Sequence, residues 1–284
     1  MPKFPLGDAA KLASGNFSAK QKTINATQKE HKMKILISGI SGFMGREVKK
    51  LCLEGYKGAS LAGGVDPFGE GEGIYKSFAD VPRELEIDCI VDFSHHSATP
   101  ALLDFAISRG LPVVLATTGH TDEETALIEK AAKSTAVFYS RNMSLGIALL
   151  IELAKITALA MPEAEIEIIE SHHNRKLDAP SGTALMIADT LLEVKPGSYT
   201  NLGRSGQAKR TPEEIGIHSV RMGNIVGIHE VIVGTKNQTI TLKHEAHDRA
   251  LFAEGGLSAA AFIIGRCAGL YDMASLVGEQ ASAN

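Results

Sequence analysis

Two histidines, a lysine and a predicted helix start lie close together in the middle of the chain. His172 and His173 are followed by Lys176, and the run Pro-Ser-Gly-Thr at 180–183 precedes an apolar segment that predicts a helix. A histidine can donate a proton near neutral pH. Hydroxyl and backbone N–H groups at a helix N-terminus bind anions, and a nearby lysine adds positive charge. The segment thus predicts a proton donor beside a carboxylate site, and a solvated surface loop with an N-cap serine is the alternative.

A glycine-rich loop stands near the start of the chain. Residues 39–45 read Gly-Ile-Ser-Gly-Phe-Met-Gly, between a short β-rich run and a helical pattern. Glycines at such a place permit a tight turn and let a pyrophosphate approach the helix N-terminus. Asp66 ends the second predicted strand, where a dinucleotide fold places the carboxylate that binds the adenosine ribose. The spacing is GxxGxxG rather than GxGxxG, so an ordinary strand-to-helix turn, with Asp66 as a turn former before Pro67, is the alternative.

The histidine segment resembles a family signature. Its sequence SHHNRKLDAPSGTA, at residues 171–184 after Glu170, is similar to the E-x-H-H-x-x-K-x-D-A-P-S-G-T-A motif of the 4-hydroxy-tetrahydrodipicolinate (dihydrodipicolinate) reductases. The resemblance covers about residues 33–280. It includes the glycine loop, the Thr-Thr-Gly turn at 117–119, Asn142 with Ser144, and the run from Arg221 to His229.

The resemblance implies an enzyme of lysine and diaminopimelate biosynthesis that reduces a cyclic imine dicarboxylate with NADH or NADPH. It implies that His172 is the general acid and that Lys176 is its partner and a carboxylate contact. The implied substrate contacts are His173, Ser181, Gly182 and Thr183. The expected cofactor contacts, from the loop and the resemblance together, are Gly39, Gly42, Phe43, Met44, Gly45, Asp66, Thr117, Thr118, Gly119, Asn142 and Met143. Two positions depart from the family pattern, which usually has glycine at Ala116 and an aromatic residue at Met143.

Two other functions are compatible with parts of this pattern. One is a different amino-acid dehydrogenase on the same fold, and the other is a nicotinamide-sensing regulator without turnover. The pair His172 and Lys176 separates them from the reductase, because a sensor needs neither a general acid nor a dicarboxylate site.

The residues after Asp66 predict a preference for NADH. Glu70 and Glu72 follow it, and no basic residue stands before Lys76. The 2′-phosphate of NADPH would be repelled by these acids. Arg46, directly after the third glycine, is the residue that could oppose this effect.

Alternating short apolar strands and helices over residues 33–142 predict right-handed βαβ units and a Rossmann-like doubly wound parallel sheet. A second, α+β domain for substrate binding is expected over residues 143–249, with a hairpin turn at Lys236 and Asn237. A C-terminal helix at 250–284 is expected to complete the first domain. The resemblance implies that the second domain builds a homotetramer. Residues 1–32 are expected to be a disordered leader.

Composition excludes several classes of protein. The 284 residues are 44% hydrophobic and 22% charged, with a net charge of −4, so neither nucleic acid nor a membrane is an expected partner. The three cysteines are far apart, which favours buried thiols in a cytoplasmic protein. The histidine pairs His95-His96 and His244/His247 lack the companions of a metal site, and no metal is expected. A small-molecule partner is therefore favoured.

Overall fold

The computed structural model describes residues 32–282, with side chains described as far as residue 280. The leader expected over residues 1–32 lies outside the described residues, apart from Lys32. The described chain builds two β-sheets, each with helices packed against it.

Seven parallel strands form the first sheet. They are β1 (Met33–Ser38), β2 (Ala59–Val65), β3 (Ile74–Tyr75), β4 (Cys89–Asp92), β5 (Val113–Leu115), β6 (Ala136–Tyr139) and β12 (Gly269–Tyr271). Their order is β12-β6-β5-β4-β1-β2-β3. The order reverses at β1, which has β2 on one side and β4 on the other, and ligands of such sheets bind at the carboxyl ends of the strands beside this point.

Helices cover both faces of this sheet. The helices are α1 (Phe43–Leu53), α2 (Thr99–Arg109), α3 (Asp122–Ala131), α6 (Ala250–Ile263) and α7 (Met273–Ser282). Because strand residues alternate between faces, Ile35 and Ile37 join one core with α1 and α6, whereas Leu36 joins the other core with α2 and α3. The predicted doubly wound parallel sheet is confirmed.

The second sheet is mixed and has five strands in the order β11-β10-β7-β9-β8. They are β7 (Glu165–His172), β8 (Tyr199–Leu202), β9 (Glu214–Arg221), β10 (Gly227–Thr235) and β11 (Gln238–Ala246). Helices α4 (Leu145–Ala160) and α5 (Gly182–Val194) pack on one face, over a core that includes Ile166, Ile168, Val231 and Val233. Thr235 pairs with Gln238, which confirms the hairpin predicted at residues 236 and 237.

The C-terminal segment differs from the single helix expected at residues 250–284. Helix α6 ends at Ile263, and Gly265 has a φ of +82°, a conformation that interrupts a helix and favours glycine. Leu270 then lies in β12, which pairs with β6, before α7 begins. The segment therefore adds an edge strand as well as two helices to the first sheet.

Among residues 32–282, no helix combines the length and the apolar character that crossing a bilayer requires.

Candidate active site

A cleft of about 1030 Å³ lies where the carboxyl ends of the first sheet face the segment between β7 and α5. Loops from both sheets supply its walls. The lining residues are Met44, Phe93, Ser94, His95, His96, Ala116, Thr117, Thr118, Arg141, Asn142, Met143, His172, His173, Arg175, Lys176, Ser181, Gly182, Thr183, Met186, Asn224, Val226, Arg249 and Phe252. All six residues expected to carry catalysis or substrate binding are among them.

The expected cofactor residues divide into two groups. Met44, Thr117, Thr118, Asn142 and Met143 line the cleft. Gly39, Gly42, Phe43, Gly45, Asp66 and Gly119 are not among its lining residues. Most of this second group belongs to the glycine loop and the turn beside it. The cleft therefore includes only part of the site that the sequence predicts.

The His172 imidazole is held by a buried carboxylate. His172 ends β7, and its Nδ1 lies 2.5 Å from Oε2 of Glu170, two residues earlier on the same face of the strand. The Glu170 carboxyl is fully buried, whereas His172 keeps 9% of its surface exposed at the cleft. One ring nitrogen is therefore engaged with the protein, and Nε2 is left to exchange a proton with a molecule in the cleft.

The N-terminus of α5 lies beside this histidine. Ser181 is the N-cap: its hydroxyl accepts a hydrogen bond from the Ala184 backbone N–H at 3.2 Å. The backbone N–H of Ser181 donates to Glu170 Oε1 at 3.0 Å. Gly182 and Thr183 open the helix, and their backbone stands at the positive end of its dipole. This geometry suits an anion at the cleft wall.

Asn142 joins the two halves of the cleft. Its side-chain amide donates to Thr183 Oγ1 at 2.9 Å, and its Oδ1 accepts from the Ser144 N–H at 2.8 Å. Ser144 caps α4, which packs on the second sheet. Asn142 therefore couples the turn after β6 to the start of α5.

The remaining charged groups of the segment have different surroundings. Lys176 Nζ lies 2.9 Å from Oδ1 of Asp178, and this contact lowers the pKa of the Asp178 carboxyl. Burial and the charge of Arg175 lower the pKa of His173, which favours its neutral ring. Within the described part of the chain, Nδ1 of His173 is buried without a hydrogen-bond partner. An acceptor or donor from a bound molecule could satisfy it.

The glycine loop is tightly folded against the sheet. Gly39 has a φ of +79°, and a Cβ there would stand 2.7 Å from the carbonyl oxygen of Phe93. A Cβ on Gly45 would stand 2.1 Å from the carbonyl oxygen of Gly39. The loop ends at the N-cap Gly42, which has no side chain to bind the first amides of α1. An uncapped helix N-terminus at the switch point fits the pyrophosphate of a dinucleotide.

Asp66 is bound into this loop. Its Oδ2 accepts from the Ser41 N–H at 3.0 Å, and its Oδ1 accepts from the Phe68 N–H at 2.9 Å. The two roles considered for Asp66 are therefore compatible, because the carboxylate stabilises its own turn and also stands beside the glycine loop.

Several residues of the site were given no role from the sequence, although some of them stand in the stretches that resemble the family. Glu170 and Arg221 form a bidentate ion pair, with contacts of 2.8 and 2.7 Å, and His229 Nε2 lies 3.2 Å from Ser181 Oγ. Asp92, at the end of β4, is 1% exposed, and burial raises its pKa despite hydrogen bonds from neighbouring hydroxyl groups. A signal existed for Glu170, since an acid alternates with isoleucines on the buried face of a predicted strand.

The two histidine pairs considered as metal ligands make ordinary contacts. His96 Nδ1 lies 2.9 Å from Glu124, and His244 Nε2 lies 3.4 Å from Ser144 Oγ. The residues that the structure describes contain no group of three or more His, Cys, Asp or Glu side chains placed to hold a metal ion.

The fold and the cleft define a class of protein. A doubly wound sheet with an uncapped glycine-loop helix faces, across one cleft, a second sheet that carries a histidine, a lysine and a helix N-terminus. This arrangement is that of a dinucleotide-dependent oxidoreductase.

Comparison with known proteins identifies the family. Residues 33–143 match the family model "Dihydrodipicolinate reductase, N-terminus", and residues 146–277 match "Dihydrodipicolinate reductase, C-terminus". The 4-hydroxy-tetrahydrodipicolinate reductase of Caldanaerobacter subterraneus is 44% identical over 254 residues, which cover 86% of this chain and 98% of the relative. That of Clostridium novyi is 40% identical over 247 residues, with coverage of 86% and 98%.

A solved structure agrees in fold. The dipicolinate-bound dihydrodipicolinate reductase from Paenisporosarcina sp. TG-14 superposes with a TM-score of 0.71 and 24% identity, covering 84% of this chain and 97% of that one. The chain belongs to the dihydrodipicolinate reductase family. It is therefore an NAD(P)H-dependent oxidoreductase, and the family resemblance found in its sequence is confirmed.

Proposed function

We propose that this chain reduces 4-hydroxy-tetrahydrodipicolinate to tetrahydrodipicolinate with NADH or NADPH, a step of lysine and diaminopimelate biosynthesis. The observation that carries the proposal is the meeting of the His172 imidazole and the Ser181 helix start in one cleft with the Thr117 turn of the first sheet. A proton donor, an anion site and a dinucleotide fold are the parts that reduction of a cyclic imine dicarboxylate requires.

The substrate is a small ring with two carboxylates. One carboxylate would bind at the N-terminus of α5, to Ser181, Gly182 and Thr183, where the helix dipole favours negative charge. His173 and Lys176 would bind the second carboxylate, and the buried Nδ1 of His173 supports a contact with the ligand. The dipicolinate bound by the Paenisporosarcina reductase is a molecule of this class.

His172 would act as the general acid. The net reaction replaces the 4-hydroxyl group, lost as water, by hydrogen, and it consumes one hydride and one proton. Because Nδ1 of His172 is held by Glu170, the proton would leave from Nε2. Lys176 would assist by placing positive charge where the substrate carries negative charge.

The cofactor would bind along the edge of the first sheet. The pyrophosphate would lie at the start of α1, against Gly39, Gly42, Phe43, Met44 and Gly45, and Asp66 would bind the adenosine ribose. Thr117, Thr118, Gly119, Asn142 and Met143 would surround the nicotinamide. NADH or NADPH would supply the hydride to C4 of the substrate ring.

NADH should be preferred over NADPH. Glu70 and Glu72 are exposed beside the Asp66 turn, and a 2′-phosphate would meet their charge. Two cations near this turn oppose the repulsion. Arg46 donates to the Ser41 carbonyl, and Lys76 Nζ donates to the Gly69 carbonyl at 2.6 Å. The proposed preference is therefore modest, on the order of several-fold in kcat/KM, since tenfold corresponds to about 1.4 kcal/mol.

The organisation of the chain follows from these roles. Residues 33–142, with the segment after residue 249, would form the dinucleotide-binding domain, and residues 143–249 would bind substrate and build a homotetramer. In the described chain, Cys52, Cys89 and Cys267 are free thiols, which supports a cytoplasmic location. Cys52 and Cys89 are buried as expected, whereas Cys267 is exposed.

The test is a coupled assay in which a synthase supplies the heterocycle continuously. The proposal expects oxidation of NADH, followed by its absorbance, only when the heterocycle is present, and a product with the mass of tetrahydrodipicolinate. A chain that binds NADH but does not consume it under these conditions would be a sensor instead.

A further inference from the structure

A single carboxylate connects the proposed acid to the proposed anion site. Glu170 is 0% exposed, although acidic side chains are rarely buried without partners. It stands on the core face of β7, between Ile168 and His172. Neither the substrate nor the cofactor contacts proposed above include it.

Donors on four residues, His172, Ser181, Ser219 and Arg221, satisfy the carboxylate. Oε2 accepts from His172 Nδ1 at 2.5 Å and from Arg221 at 2.8 Å. Oε1 accepts from Arg221 at 2.7 Å and from the Ser181 backbone N–H at 3.0 Å. Both oxygens are thus bound by donors, and Arg221 donates to each of them.

These donors keep Glu170 ionised. Burial alone would raise the pKa of the Glu170 carboxyl, but the hydrogen bonds from His172, Arg221 and the Ser181 amide outweigh it and hold that pKa well below its usual range. Glu170 in turn raises the pKa of the Arg221 guanidinium. An ionised carboxylate can only accept, so His172 must present its Nδ1 as N–H.

The consequence for His172 is a fixed tautomer and a fixed ring plane. Because Glu170 holds Nδ1–H, only Nε2 can donate a proton to a bound molecule. After the transfer, Nε2 has a free lone pair. Gly227, on the neighbouring strand, leaves room for this nitrogen, since a Cβ there would stand 3.2 Å from Nε2.

The consequence for the anion site is a fixed distance between the His172 ring and the start of α5. The same carboxylate holds the Ser181 N–H, and Ser181 begins α5. The proton donor and the helix N-terminus are therefore tied to one rigid group, which presets their separation before a substrate binds.

We propose that Glu170 is the positioning residue of this site, which orients His172 for proton transfer and holds the start of α5 at a fixed distance from it, with Arg221 as its counter-ion. The inference rests on the proposed role of His172. It assigns no contact between Glu170 and the substrate.

Glu170→Gln is the informative change, because an amide cannot satisfy this set of donors. If the amide nitrogen takes the place of Oε2, it faces His172 Nδ1, which must then accept, so the ring changes its tautomer. If it takes the place of Oε1, it meets two N–H donors, from Ser181 and Arg221, and the start of α5 is displaced. Either orientation breaks one of the two contacts through which Glu170 positions the site.

Glu167→Gln provides a matched control. Glu167 lies on the same strand and accepts from His218 at 2.8 Å and from Arg210 at 3.1 Å, but it occupies the opposite face and is not among the lining residues of the cleft. The two variants thus remove the same charge from similar partners, at two different places.

The experiment measures kcat, the KM for NADH and the Kd for dipicolinate. We expect Glu170→Gln to lower kcat by ~10²-fold, as loss of an orienting partner does elsewhere. The KM for NADH should change by less than about threefold, and Glu167→Gln should keep kcat within about threefold. The same Gln substitution in a His172→Ala background should lower kcat by less than about threefold, because its effect on proton transfer passes through His172. Displacement of the start of α5 should instead raise the Kd for dipicolinate in both backgrounds.

The outcomes separate this inference from the proposed function. If His172→Ala keeps wild-type kcat, the proposed function is wrong at its acid; if only Glu170→Gln keeps it, the positioning role is wrong. A loss of equal size in the His172→Ala background would also overturn the inference, since it would indicate a general structural effect. Should Glu170→Gln not fold, Glu170→Asp keeps the charge but shortens the reach, and a wild-type kcat in that variant would contradict the proposal.

Discussion

Acid should destabilise this protein through one buried histidine in particular. His229 is 4% exposed, and its Nε2 lies 3.2 Å from Ser181 Oγ. Burial, together with the charge of His172, lowers the pKa of His229 to about 4. The unfolded chain has the ordinary value of about 6.5, so the unfolded state takes up the proton first as the pH falls. The free energy of unfolding should therefore decrease from pH 6.5 down to 4.

The size of the effect follows from the two pKa values. At pH 5 protonation of this ring stabilises the unfolded state by about 2 kcal/mol and the native state by only about 0.1 kcal/mol. At pH 7 it stabilises the unfolded state by about 0.2 kcal/mol. Protonation of His229 should thus lower the free energy of unfolding by about 2 kcal/mol between pH 7 and pH 5. Glu170 acts in the same direction at lower pH, because its pKa is held down in the folded state.

Urea unfolding of the wild type and of His229→Gln, at both pH values, measures this contribution. Glutamine can still hydrogen-bond to the Ser181 hydroxyl, but it does not titrate. Between pH 7 and pH 5, the free energy of unfolding of the wild type should fall by about 2 kcal/mol more than that of His229→Gln. His95→Gln, which removes an exposed ring, should behave like the wild type. Equal losses in the wild type and His229→Gln would refute the reasoning.

Three further predictions concern activity. Replacing His172 or Lys176 by alanine should lower kcat by ~10²-fold or more, because a proton donor or a cation is removed, while the melting temperature stays nearly the same. A kcat near that of the wild type in both variants would rule out the roles proposed for these residues. Pro67→Arg should move the ratio of kcat/KM for the two cofactors toward NADPH, measured at equal ionic strength, and an unchanged ratio would speak against the electrostatic argument. Gly45→Ala should raise the KM for both cofactors about tenfold or more, since its Cβ would stand 2.1 Å from the carbonyl oxygen of Gly39; unchanged KM values would show that the loop tolerates the change.

The sheets were predictable where the pattern of residues is repeated. Strands β1 and β4 are visible in the sequence as continuous apolar runs, because both of their faces are buried. The hairpin of β10 and β11 is visible as an alternation of apolar and polar residues. Strands β3 and β12, of two and three residues, carry none. They exist because a neighbouring strand offers them an open edge, and that edge is a property of the folded chain.

The candidate site was predictable where a motif names its residues. His172, Lys176 and the Ser-Gly-Thr run stand in one segment, and the structure places them in one cleft. Glu170 belongs to the same segment, but its role depends on burial and on Arg221, which is 51 residues away. The binding of Lys176 to Asp178 was likewise not expected, because side-chain pairing within a loop depends on the turn that the loop adopts.

The most direct test of the central claim follows one hydrogen atom. NADH carrying deuterium at nicotinamide C4, on the transferred face, is oxidised with the synthase-generated heterocycle, and the product is examined by NMR. We expect one deuterium at ring C4 of tetrahydrodipicolinate for each NADH consumed, and a ~10²-fold slower appearance of that label with His172→Ala. Oxidation of NADH with no deuterium in the ring product would contradict it.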